Sequence, residues 1–178
     1  MAGKRVSPPP LPHEILLRVW RLASLDGRML LIIATVFAML AAIAHDAPGA
    51  AAGVLAAGAG AMELHGANRL NTGDANGMRW LVTSQLGLLA VIFGYIAVRL
   101  LLLDAEMIDE RIPPEVAARF AEAGIPREAV PEFVQRVGRI AYSLLALGSL
   151  AYQGGMALYF HRRRKAVRQA LGGDSAAD

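Results

Sequence analysis

Residues 48–66 read PGAAAGVLAAGAGAMELHG, an Ala and Gly run from Pro48 to Gly66 that carries no charge until it closes on Glu63, Leu64 and His65. Its side chains are too small for an ordinary lipid-facing span, and its lack of charge excludes a solvated surface helix. The stretch therefore reads as a transmembrane helix packed inside a bundle, where small residues let neighbouring backbones approach closely. An ionisable residue within such a helix is by default a functional candidate, because a charge in the bilayer is expensive.

The neighbouring sequence supports that frame. Met29 to Ala44 holds sixteen uncharged residues and forms the first span (about 29–44), joined to the second (about 48–66) by the short segment at His45 and Asp46. So short a connection makes the two an antiparallel hairpin. Ala and Gly contribute little insertion energy beside Leu, Ile, Phe or Val, so the second span needs protein against it. Gly49 and Gly53 are four apart, and the spacing continues through Ala57 and Ala61, which predicts a small packed face. An Ala42, Ile43, Ala44 run after an apolar core has the form of a signal-peptidase site. The long charged stretch before that core favours a retained segment.

A third span at about 80–103 begins beside Trp80, an interfacial aromatic, and contains Arg99 near its far end, where a long side chain can snorkel. A fourth at about 137–160 is rich in Leu, Ala and Tyr. Residues 104–136, with eight acids and four arginines, predict a small helical extramembrane cap: Pro114 opens a helix, Gly124 caps it and Pro126 starts another. Residues 1–12, with Pro8, Pro9, Pro10 and Pro12, read as a flexible arm, and 13–28 as a short amphipathic helix on the membrane. That helix could equally extend the first span inward. Residues 162–178 form a basic and then disordered tail, in which Arg162, Arg163, Arg164 and Lys165 suit anionic lipid headgroups. The expected fold is thus all-α: a polytopic four-transmembrane-helix bundle over 29–161, with an N-terminal amphipathic helix and a helical segment between helices 3 and 4.

Composition agrees. The 178-residue chain is 55% hydrophobic and 19% charged, with a mean hydropathy of +0.40, more apolar than a typical soluble domain. It contains no cysteine, which removes disulfides, thiolate catalysis and cysteine-ligated metals. The formal charge of +3 is unevenly spread, since eight of the fifteen acids lie between Asp104 and Glu132 and basic residues collect at both ends. This distribution fits the two faces of a membrane protein and not a nucleic-acid binder. If four spans alternate, twelve Lys and Arg lie on the side of the termini and six on the other, which puts both termini in the cytoplasm of a multi-pass cell-membrane protein.

The same alternation places Glu63, His65, Ser84, Gln85 and Gln153 in one cytoplasmic-side polar layer. Glu63, near the loop, has an inexpensive structural role open to it. His65 lies about 200° from Glu63 around the helix, so the two cannot ligate one ion from the same face. Four scattered histidines show no metal-ligand spacing, and no elbow or oxyanion hole accompanies Ser84. The expectation is no cofactor, no metal and no enzymatic activity. What remains is a structural or accessory subunit of a membrane assembly, within a homo-oligomer or larger complex. The alternative is a homo-oligomeric channel or transporter-like pore, with Glu63, Gln85 and Gln153 tuning what passes.

Overall fold

The structure, a computed structural model, describes residues 11–102 and 113–172, and over these it is helical with no strand. In chain order the elements are α1 (Pro12–Ile43), α2 (Ala47–Asn71), α3 (Gly77–Leu101), α4 (Pro114–Glu122), a 3₁₀ turn (Arg127–Ala129) and α5 (Val130–Ala170). Two of them, α1 and α3, are long and apolar enough to cross a membrane. The expected arm over residues 1–10, residues 104–112 of the cap and the last six residues lie outside the described residues.

Pro12 sits in the first turn of α1, where its missing N–H leaves no bond unmade, and Glu14 favours the same helix end. The helix closes through a Schellman arrangement: the Asp46 N–H donates to the Ala41 carbonyl at 2.8 Å and the His45 N–H to the Ala42 carbonyl at 3.1 Å. His45 consequently adopts a left-handed φ of 54°, the conformation in which a Cβ is penalised and glycine is not. His45→Gly is expected to raise stability by about 0.5–1 kcal/mol, read as a higher unfolding midpoint in detergent. The next helix starts at once, with Asp46 Oδ1 accepting from the Gly49 N–H at 3.2 Å as its N-cap.

The turn between α2 and α3 is closed by Gly73 and Asp74. The Asp74 Oδ1 accepts from the Asn76 N–H at 2.8 Å, and Oδ2 accepts from Arg69 Nε at 2.7 Å. The backbone donor at Asn76, aided by Arg69, holds the Asp74 carboxyl below the usual carboxylate range. Its stabilising effect is therefore present above the unfolded value, about pH 4, and is lost as pH falls through the lower folded value. An NMR pH titration of Asn76 checks this, and Asp74→Asn should abolish the transition.

α1 runs along α2, α2 packs on α3, α3 on α5, and α5 returns to α1. The α1–α2 seam is made by backbone proximity: a Cβ built on Gly53 would lie 2.7 Å from Ala38 Cβ and 2.8 Å from Ala38 N, and one on Gly60 would lie 2.9 Å from Leu31 N. The packed face of α2 follows Gly49, Gly53, Gly60 and Ala67, while Ala61 is exposed. The four-residue spacing predicted through Ala57 and Ala61 is thus replaced beyond Gly53 by a seven-residue step, which keeps nearly the same helix face over two turns.

Large side chains concentrate at the end bearing the 72–76 turn. Ile15, Val19, Leu70, Met78, Leu81, Phe160 and Val167 form one buried cluster there. This corrects the reading of 13–28 as a separate helix on the membrane surface: α1 continues through it without a break, and Val19 and Ala23 are fully buried. The apolar stripe that suggested lipid contact instead meets α2, α3 and α5. A second correction concerns the tail, because α5 carries Arg162 to Lys165 within its helical length and ends at Ala170. α4 does begin at Pro114 and close on Gly124, whose φ is 79°. After Pro126 comes only one 3₁₀ turn before the long helix.

Candidate functional site

The close approach that joins α1 to α2 also assembles a polar site. Gly27 of α1 lies against Gly60 of α2, one turn before Glu63 on the same face. The residue before Gly27 is Asp26, and both acids reach one side chain of α3. Gln85 Nε2 donates to Glu63 Oε2 at 3.0 Å and to Asp26 Oδ2 at 3.1 Å. The two acceptors on one nitrogen decide which end of the Gln85 amide carries the protons. From α5, the Tyr152 hydroxyl donates to Asp26 Oδ1 at 2.8 Å. Four helices thus meet in one hydrogen-bonded set.

Burial makes the set costly. Glu63 is 0% exposed and Gln85 1% exposed, and among the described residues no Lys, Arg or His pairs with either acid. Two full negative charges no more than about 6 Å apart repel by at least about 3 kcal/mol at an effective dielectric of about 20, besides the loss of hydration. Three oxygens, Glu63 Oε1, Gln85 Oε1 and Gln153 Oε1, are buried without a donor. Few such groups occur in a native fold, and each calls for a physical account.

The predicted layer is only partly assembled. Glu63 and Gln85 meet as expected from their depth. Ser84 is buried, but its hydroxyl donates to the Leu81 carbonyl of its own helix at 2.9 Å. Gln153 is buried with its Oε1 unpaired, and its neighbour Tyr152 supplies the α5 hydrogen bond. His65 points away, exposed, with its ring edge-on to Trp80 at 4.9 Å. The placement of Glu63 close to a loop is corrected by the helix length: α2 continues to Asn71, so Glu63 lies two turns inside and has no route by which to snorkel.

No known protein family, curated protein or solved structure matches this chain. Its chemistry must be read from its own residues.

At the opposite end a second polar group, overlooked in the sequence, ties the hairpin to α3. Asp46 Oδ2 pairs with the Arg99 guanidinium, whose Nε also donates to the Tyr95 hydroxyl at 2.9 Å. Tyr95 in turn meets Phe37 of α1 and Tyr142 of α5 at ring distances of 6.3 and 6.5 Å. Arg99 is therefore held by a carboxylate and does not simply reach for an interface. Along the basic end of α5, Arg163 stacks over Tyr159 at 5.7 Å. A surface recess of about 420 Å³ there is lined by Gly155, Leu158, Tyr159, Arg162 and Arg163. A second recess, of about 470 Å³, is lined by Arg69, Asn76, Arg79, Trp80 and Thr83. Neither touches Glu63 or Gln85.

Proposed function

We propose that the chain is a four-span protein of the cell membrane with both termini cytoplasmic, acting as a non-enzymatic structural or accessory subunit of a membrane assembly. The observation that carries this reading is the combination of a sealed interior with an apolar exterior. Glu63 and Gln85 are closed on each other with almost no exposed surface, while Ile33, Leu40, Leu101, Leu144 and Leu147 are each more than half exposed. Soluble monomers seldom present so much contiguous apolar surface. Lipid is its natural cover, and α2, packed on α1 and α3 along its small-residue face, turns Val54 and Leu55 outward to meet it.

The excess of twelve Lys and Arg over six supports this orientation. The arginine and aromatic recesses at the end of α5 and beside Trp80 are suited to anionic lipid headgroups, with Arg162, Arg163, Arg164 and Lys165 supplying charge. The pore alternative draws less support, because Glu63 and Gln85 face the inside of one protomer and not a surface that a ring of copies would share.

Topology is directly testable, since the chain has no cysteine and any introduced thiol is the only one present. Thiols at His45 and Thr72 should be labelled from opposite sides of intact cells. Gentle extraction and capture of the tagged chain should recover a larger complex. Recovery of this chain alone, or steady ion flux in liposomes containing only this chain, would overturn the accessory role.

A further inference from the structure

We propose that Asp26 and Glu63 form a proton-binding site in which the two carboxyls hold one proton between them, bridged by Gln85 and opened to the exterior through Asp26 and Tyr152. The bonds of 3.1 and 3.0 Å end on the same Gln85 nitrogen, so the acceptor oxygens stand no further apart than those two lengths end to end. Like charges sharing so small a buried space do not both remain ionised. The groups facing the pair are Gln85 from α3 and the Tyr152 phenol from α5; among the described residues no basic side chain bonds either acid.

The unpaired oxygens give the second, independent sign. Glu63 Oε1 and Gln85 Oε1 are fully enclosed and lack a donor. A proton on Glu63 turns one of these surplus acceptors into a donor, which no rearrangement of acceptor-only carboxylates can do. A hard metal cation would need several oxygens converging on it, whereas the Gln85 group presented to both acids is its amide nitrogen.

Access is one-sided. Asp26 is only part-buried and Tyr152 is 52% exposed, which makes that flank, and not Glu63, the open side of the pair. Glu63 is sealed, and among the described residues no further polar side chain is bonded to it beyond Gln85. The site takes up and releases a proton without conducting one across the molecule. This inference rests on how α1, α2, α3 and α5 pack and not on the accessory role, so either can fail without the other.

The test is infrared difference spectroscopy of the full chain in liposomes between pH 5 and 9, in sodium and in choline buffer. Wild type should show the carbonyl stretch of a protonated carboxyl at neutral pH, absent from Glu63→Gln, with both proteins folded by circular dichroism. Asp26→Asn should move the loss of that band to lower pH by at least one unit, because the neighbouring charge is gone. Wild-type and Glu63→Gln spectra that coincide over the whole range would overturn the proposal. So would an Asp26→Asn band unmoved on the pH axis, or a band abolished by sodium and not by choline, which would assign the site to a metal cation.

Discussion

Gln85→Leu is expected to destabilise the fold by about 3 kcal/mol, the upper end of the cost of stripping a buried polar group of its hydrogen-bond partner. The substitution changes volume little. Among the described residues it deletes the one donor bonded to Glu63 and one of two bonded to Asp26, the other being Tyr152. Detergent unfolding followed by circular dichroism should show the loss, larger than for Ser84→Ala, whose hydroxyl bonds only its own helix. Adding Glu63→Leu to Gln85→Leu should recover most of it, since the acid that remains, Asp26, is only part-buried and keeps its bond from Tyr152. A Gln85→Leu change of under about 1 kcal/mol would mean that the amide does not carry the site.

Gly53→Val should be comparably severe, at about 3 kcal/mol or more, through sterics alone. Overpacking usually costs about 1–3 kcal/mol, but here the atoms met by a new Cβ include Ala38 N and Cα at 2.8 Å, and backbone cannot swing aside. The α1–α2 seam must separate, taking the Asp26–Gln85–Glu63 set with it. Gly58 and Gly148 have nothing within 4 Å of the same position. Alanine there should be neutral or stabilising by up to about 1 kcal/mol, as expected for a helix interior. Thermal midpoints of the three variants in one detergent separate close approach from general helix propensity.

Much of the arrangement is written in residue periodicity. The hairpin at His45 and Asp46, the close-packing character of α2, the helix opening at Pro114 and closing at Gly124, and the common depth of Glu63 and Gln85 all follow from local chemistry and 1.5 Å per residue. Asp26 was legible by the same count and overlooked. It lies seventeen positions before the end of α1 and Glu63 sixteen after the start of α2, so both sit about 25 Å from the hairpin. As a charge beside Gly27 it looked like a break between an interfacial helix and a span. Helix ends were the other difficulty. Charged residues flanking an apolar run signal the edge of a bilayer, yet α1 and α5 carry on past them because Ile15, Val19 and Val167 bury one another beyond it. That His65 turns outward to Trp80 while Glu63 turns inward does follow from their angular separation.

The unbroken 41 residues of α5 have a mechanical consequence. At 1.5 Å per residue the helix is a rod about 60 Å long, roughly twice the depth of a bilayer's hydrocarbon core. A tilt of about 10° about its midpoint displaces each tip by about 5 Å, in opposite directions. Tyr152, the α5 residue bonded to Asp26, lies along that rod. A displacement of the basic tip is thereby matched by an opposite one at Val130, the far end of the rod.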